Sequence, residues 1–541
     1  MRASLASSIA VTCAAVLALP VSLTAPAAAS APPAAASALP PAPELPGSTQ
    51  SLPLEPLGAA TRSLVGGATG SGEQGLTRRD VRPFSLVGVV WDDPAAPLHG
   101  TVQVRTRATG GGAWSEWQDV ETHNEEHGAD PGTAEGSARA LRGSTAPLWV
   151  GDSDGVEIRV RGEEPLPAGL RLELVDPGEA PSEAPGEAPG QDPAAEPEAP
   201  APHTRSARIP AGPVGLSAAE AAASAVNAQL APYGAAWIPA LSKEETELAA
   251  RSMPQQEAAQ AAEAAEAAGT GQAAEAGQTS GTGQAAEAVQ TSGTGQAAEA
   301  GQTSETGQTA EAVQGAQPAQ AAQPAPFAQA ARGALAAKPY IGPRPKIITR
   351  KGWGADESIR EKGFVYTKTI KAAFVHHSAT GNNYTCKQAP SVLRSIYRYH
   401  VKSSGWRDFG YNFAVDKCGN IYEGRAGGVA KPVMGAHTLG FNTNSMGIAV
   451  LGTFSKSNPP AAVVTAVARL TAWKLGLHGV NPKGTSTLIS GGGNLYKKGT
   501  TVRFNAIAGH RDGFATECPG GRLYGKLGTA RATSAKYQGR P

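Results

Sequence analysis

The sequence predicts an α/β fold in its C-terminal part, a mixed central sheet flanked by helices, joined through long disordered linkers to a small all-β domain nearer the N-terminus. Three observations predict this. Beyond about residue 338, alternating apolar runs take turns with helically spaced ones, the mark of an α/β layer fold. Between about residues 79 and 177, apolar positions recur with period two between Gly, Asp and Pro turns, which argues short antiparallel strands. Elsewhere Ala, Gly and Pro dominate, and aromatics make up only 5% of the 541 residues. Such stretches have too few bulky apolar side chains to offset the entropy of ordering.

Taken in order, Arg2 precedes an apolar run from about Ile9 to Leu23, and Ala27-Ala28-Ala29 offers a small-residue cleavage site. Residues 1–29 therefore read as a secretory signal peptide, with an apolar core too short for a membrane span. A Pro/Ala-rich leader covers 30–78. Its Gly70–Gly75 stretch satisfies GxGxxG but neither follows a strand nor opens a helix, so it reads as loop. In the β domain, 79–177, Phe84 to Trp91 is nearly continuously apolar. Val102 and Val104 alternate with polar neighbours, as do Val156, Ile158 and Val160. Trp114 and Trp117 could stack on sugar rings or pack in the core, and the domain's task is not legible.

Residues 178–337 read as linker. They run from a Pro/Glu/Ala-rich start, through Ser217 to Met253 with scope for helices, to a twelve-residue repeat over 269–316. GTGQAAEAGQTS begins at Gly269 and Gly293, with variants at Gly281 and Glu305. Without a bulky apolar stripe these units cannot stack a core, so they read as a tether. The C-terminal domain is expected over 338–535. Ala372, Phe374 and His376 would share one face of a strand and His377 the other. Helices are expected from Ala389 to His400 and after Pro459-Pro460, and a strand over Ile448–Leu451.

Charge and cysteines narrow the setting. From Lys338 onward there are 30 Lys+Arg against 8 Asp+Glu, a net +22, which leaves 17 against 38, or −21, for the rest. A basic half is drawn to polyanions. In an exported monomer, a secreted and wall-associated chain, that means anionic cell-wall polymers rather than nucleic acid. With the signal peptide removed, Cys386, Cys418 and Cys518 remain, an odd number in an oxidising compartment. Either one thiol is free or one has a separate task such as binding metal. We pair Cys386 with Cys418, closing a loop of about 32 residues, and leave Cys518 for chemistry.

His510 and Cys518 lie eight residues apart, and His376 would complete a His₂Cys set of the kind that holds catalytic zinc with one position left to water. Spacing alone leaves the buried-core-histidine reading equally open. The surrounding residues carry more. Phe374-Val375-His376-His377-Ser378, Gly405-Trp406-Arg407-Asp408-Phe409-Gly410-Tyr411-Asn412-Phe413, Ile421-Tyr422-Glu423-Gly424-Arg425, Gly435-Ala436-His437-Thr438, Gly509-His510-Arg511-Asp512 and Thr516-Glu517-Cys518-Pro519-Gly520 follow in order. Together they make the segment similar to the peptidoglycan recognition proteins and the phage lysozyme-type N-acetylmuramoyl-L-alanine amidases.

That resemblance implies a zinc-dependent hydrolase cutting peptidoglycan between N-acetylmuramic acid and L-alanine. Its alternative is a peptidoglycan-binding module without catalysis, as in many members, which usually lack the cysteine. It implies Zn²⁺ on His376, His510 and Cys518. Tyr411 would steady the tetrahedral intermediate, and Thr516 stands where phage-type members carry a catalytic lysine. His400 and His437 would line the groove for the muramyl peptide. Zinc would polarise the amide carbonyl and acidify bound water. Glu423 and His377 are candidates to protonate the leaving amine. Equally, Glu423 could pair with Arg425, and His377 could be buried and hydrogen-bonded. Two departures bear on the groove. Ala426-Gly427-Gly428 replaces a frequent Gly-Trp, and residues 480–505 read as an extra Gly/Thr-rich hairpin.

Overall fold

The computed structural model describes residues 47–57, 73–162, 165–179, 218–228, 230, 235–252 and 340–541. The expected signal peptide and the twelve-residue repeats lie outside them.

The N-terminal domain is one antiparallel sheet. Its strands are β1 (Thr49–Pro53), β2 (Glu55–Pro56), β3 (Glu73–Trp91), β4 (Gly100–Ala108), β5 (Gln118–Val120), β6 (Gly143–Ser144), β7 (Leu148–Gly162) and β8 (Arg171–Val175). The main order is β1-β8-β3-β7-β4-β5, with β2 and β6 added to β3. The sheet begins earlier than the 79–177 expected. β1 is an edge strand that pairs with β8 through its backbone, so its sequence needs no apolar alternation to be held. The unbroken apolar run at the end of β3 has a specific cause. Val87 and Val89 face the domain's own core with Leu172 and Leu174, whereas Leu86 and Val90 pack against Tyr399 and Ile396 of the C-terminal domain. A strand covered on both faces loses its polar alternation. Gly88 leaves room for Tyr399, whose hydroxyl donates to the carbonyls of Val89 and Thr145.

Three short elements follow: α1 (Ala218–Ala225), β9 (Trp237–Ile238) and the helical residues 243–252, α2. The two helices fall where the linker left scope for them, between Ser217 and Met253, whereas β9 was not expected. β9 extends the C-terminal sheet antiparallel to β10 (Ile347–Ile348), with Ile238 fully buried. The Arg344 guanidinium donates to the carbonyl of Pro239, and Lys243 Nζ donates to those of Ile341 and Gln538. Two strand residues are too few to register as periodicity.

The C-terminal domain has the sheet order β17-β11-β14-β12-β13-β10-β9. Its remaining strands are β11 (Ala372–His377), β12 (Phe413–Val415), β13 (Ile421–Glu423), β14 (Ser445–Val450) and β17 (Ile507–Gly509). β11 runs parallel to β14 and β17, while β12 and β13 are antiparallel, so the sheet is mixed. After the single turn α3 (Arg350–Trp353), α4 (Ala389–Arg398) covers one face through Val392, Leu393 and Ile396. α5 (Ala461–Leu477) covers the other through Val463, Val467 and Leu470. β15 (Thr485–Ile489) and β16 (Thr501–Asn505) form the separate hairpin expected over 480–505. The chain closes with α6 (Gly521–Tyr524) and α7 (Leu527–Tyr537). Cys386 and Cys418 are joined by a disulfide, and Cys518 is free and buried.

Candidate metal centre and the groove around it

The parallel register of β11 and β17 sets Val375 opposite Gly509, so the next residues, His376 and His510, emerge side by side at the strand ends. Their rings are 4.4 Å apart, and both are fully buried. His510 opens a short 3-10 turn over His510–Asp512, whose Asp512 carboxylate accepts from the Gly509 amide and from the Tyr524 hydroxyl. Cys518 is fixed by its own backbone: its amide donates to Thr516 Oγ1, and its carbonyl accepts from the Arg511 amide. Its Sγ lies 3.8 Å from His376 Nδ1.

A fourth side chain joins these three. His127, from the loop between β5 and β6, places Nε2 3.9 Å from Cys518 Sγ, and the ligand atoms of His127, His376, His510 and Cys518 all lie within 4.8 Å of one another. Donor atoms around a tetrahedral zinc stand roughly 3.3–3.7 Å apart, so a small inward adjustment would seat an ion. Both ring nitrogens of His510 are buried without a hydrogen bond of normal geometry. A buried imidazole left this way is unusual, and metal ligation would give its nitrogens a partner. Burial first, then the neighbouring rings, holds His376 and His510 well below the usual histidine range, keeping them neutral as ligation requires. Burial pushes the Cys518 thiol up, and only a bound cation would favour its thiolate there.

Around this centre lie His377, His400, Tyr411 and Thr516, which line one cavity together with Glu126 and His127. The Tyr411 ring is 5.2 Å from that of His376, and burial raises its phenol far enough to keep the proton. His400 stacks on Trp406 at 4.3 Å and accepts from the Gly410 amide. Thr516 Oγ1 donates to Glu126 Oε1 at 2.6 Å. His377 is not among the converging donors; its Nδ1 accepts from the Phe454 amide.

His437, expected along the groove, is instead fully buried and outside that cavity. It backs His376: Nδ1 meets Thr438 Oγ1 at 3.0 Å, and that oxygen meets His376 Nε2 at 3.4 Å. Glu423 is likewise outside the cavity. It accepts from Asn227 Nδ2 and the Arg350 amide, so its carboxylate serves the fold. Arg425 pairs not with Glu423 but with Glu135 of the N-terminal domain, at 2.7 Å.

Sequence reasoning missed Glu126, His127, Asp130 and Glu135, all in one loop of the β domain. The available signal was composition: His123-Asn124-Glu125-Glu126-His127 gathers ligating side chains in a stretch with no strand periodicity.

Comparison with known proteins agrees with this architecture. Residues 366–521 match the N-acetylmuramoyl-L-alanine amidase family, and residues 33–203 match the family described as Rv3811 N-terminal galactose-binding domain-like. Peptidoglycan-recognition protein SC2 of Drosophila melanogaster is 30% identical over 185 residues, 34% of this chain and 85% of that protein. The human N-acetylmuramoyl-L-alanine amidase is 29% identical over 201 residues, 36% of this chain and 30% of its own length. The solved structure of Drosophila PGRP-LB is similar to 34% of this chain over 92% of its own, with 27% identity and a TM-score of 0.27. The chain belongs to the family of peptidoglycan-recognition proteins and N-acetylmuramoyl-L-alanine amidases.

Proposed function

We propose that the chain is a zinc-dependent hydrolase that cleaves the amide between N-acetylmuramic acid and L-alanine in peptidoglycan. One observation carries the proposal: two neutral imidazoles and a thiol, from three separate segments, converge in a buried centre where neither ring nitrogen of His510 has a hydrogen bond of normal geometry. A mixed nitrogen and sulfur donor set suits zinc. When bound there, zinc supplies a Lewis acid and an acidified water.

The residues around it do the rest. His376 is steadied by Thr438 and, behind it, by His437, an outer contact of the kind that fixes a ligand's ring and tautomer. Tyr411, protonated and beside His376, can donate to the oxygen on which negative charge develops. Thr516 Oγ1 and His400, which line the same cavity, can hold the stem peptide once the centre opens. A purely binding role, the alternative, gives no reason for a buried thiol among unpartnered imidazole nitrogens.

We place the protein outside the cytoplasm, at the cell wall, where its basic C-terminal half would meet anionic polymers. The test uses a variant whose centre is not covered by His127, His127→Ala, incubated with muramyl peptide. Mass spectrometry should find free peptide beginning in alanine, lost with chelator and restored by Zn²⁺. If that variant retains zinc and the muramyl peptide stays intact, the protein is a binding module.

A further inference from the structure

We propose that the loop joining β5 to β6, residues 121–142, is a built-in inhibitor whose His127 supplies a fourth protein ligand and closes the position that catalysis needs open. This rests on the metal-dependent reading above. Catalytic zinc sites keep three protein ligands and leave the fourth position to water or substrate, whereas four protein ligands mark a closed, structural site. His127 Nε2 is as near to Cys518 Sγ, at 3.9 Å, as His376 Nδ1 is at 3.8 Å. Its ring is 4.6 Å from that of His510. The centre is shut: His376 and His510 are 0% exposed, Cys518 2% and Tyr411 5%. An amide carbonyl on a polymer cannot reach an ion there until the loop moves.

The loop's remaining contacts tie it to the C-terminal domain, one of them at Thr516 of the cavity. Glu126 takes the Thr516 hydroxyl with its carboxylate and the Leu439 amide with its carbonyl. Asp130 Oδ1 accepts from Asn442 Nδ2 at 2.7 Å and from the Gly440 amide at 2.8 Å. Glu135 holds Arg425 through two hydrogen bonds, 2.7 and 2.9 Å. Gly405, at φ 78°, allows a backbone approach of Ala140 that any Cβ would block.

These contacts lack the apolar core that the rest of the domain interface has. Every buried residue between 121 and 142 is polar or charged: Asn124, Glu126, Asp130 and Glu135. The adjoining seam has an apolar core, Leu86, Val90, Trp149 and Val175 against the C-terminal helices, with hydrogen bonds such as Ser403 Oγ to Glu173 beside it. Polar contacts can be exchanged for water on opening, whereas an apolar seam cannot. The β domain can thus remain docked while its loop lifts, and latency is reversible.

The test compares the full chain with His127→Ala, both loaded with Co²⁺, whose visible absorption reports coordination. Azide, a small ligand that needs a free position, should leave the wild-type spectrum unchanged and alter that of the variant. The variant should also lose metal to a chelator at least about tenfold faster, in line with lost support for a metal site, and release peptide faster. Asp130→Ala, which keeps every ligand but cuts the tie to Gly440 and Asn442, should shift azide response and hydrolysis the same way by a smaller factor. Thermal melting of each variant confirms folding, and the wild-type azide response decides the matter even if His127→Ala does not fold. A wild-type spectrum that azide alters as readily as the variant's overturns the proposal, as does hydrolysis that falls on Asp130→Ala. If the variant binds azide at its cobalt yet its zinc form releases no peptide, the closure stands and the hydrolase reading is the one that fails.

Discussion

The centre is assembled from two regions of opposite character. Its floor, His376 with His510 and Cys518, stands at the ends of β11 and β17 and on a turn pinned by Asp512 and Thr516, inside a sheet covered on both faces. Its cover, residues 121–142, contains no strand and buries no large apolar side chain. Rigid elements hold groups to the sub-ångström precision that chemistry needs, and loops supply parts that can move. The difference teaches that one centre can be built for permanence on one side and for release on the other.

The largest effect should come from the floor. Cys518→Ser removes the sulfur ligand, and peptide release should not survive, because once His127 lifts only two imidazoles remain and the catalytic set is incomplete. The mass-spectrometric assay checks this. A Cys518→Ser protein that still releases peptide would show that the floor works without its sulfur and would erase the contrast.

Glu135→Ala tests whether the cover opens as a separate unit. Removing one partner of a buried ion pair costs roughly 3–5 kcal/mol when the other charge is left unpaired. Arg425 stays bonded to the Phe409 and Met434 carbonyls, so most of that cost should appear as opening of the loop. Hydrogen exchange should accelerate in 121–142 and stay slow in β11, with the urea midpoint moving little. If the midpoint falls by the full amount, cover and floor unfold together and the distinction fails.

The floor should also carry its own pH signature, away from the metal. Burial raises the Glu423 carboxyl from 4.5 to about 7, against the pull of Asn227 and Arg350. A carboxyl raised in the folded state gives stability that is fully present below the unfolded value near 4.5 and is lost as pH climbs through about 7. The shift corresponds to at most about 3 kcal/mol. Glu423→Gln cannot ionise, so urea unfolding of wild type relative to variant should weaken between pH 5 and pH 8. A constant difference would mean that Glu423 is ionised in the folded protein throughout that range.

The two regions also differ in how legible they were. Local patterns announced the floor: the alternation through Ala372, Phe374 and His376, the Gly509-His510 pair at a strand end, and the Cys518-Pro519-Gly520 turn. Each is set by neighbours in sequence, so the mixed sheet and the convergence of the three candidate ligands could be anticipated. His437 was misplaced because a histidine's exposure depends on what packs above it, which here is His376 and Thr438. His127 was invisible for a stronger reason. Its partner Cys518 is 391 residues away in another domain, and no local propensity encodes such a meeting. Besides the ligating side chains gathered at His123–His127, the apolar run at Phe84–Trp91 spoke of a covered sheet face without saying what covers it.

Within the cover, the smallest of these effects should isolate its internal order. Thr133 Oγ1 donates to the Asp130 carbonyl at 2.7 Å and accepts from the Gly136 amide at 3.0 Å, a side-chain turn that presents Asp130 to Asn442 and Glu135 to Arg425. Thr133→Ala deletes this turn without touching a ligand or an interdomain contact, at a cost of about 1 kcal/mol for the lost hydrogen bonds. Since the open loop does not need the turn, that cost falls on closure alone. The open fraction, read as the hydrogen-exchange rate of the 121–142 amides, should therefore rise about fivefold, with β11 unaffected. No change would mean that the interdomain bonds shape the loop unaided, and that its closed form is imposed by the C-terminal domain rather than prepared by the loop's own sequence.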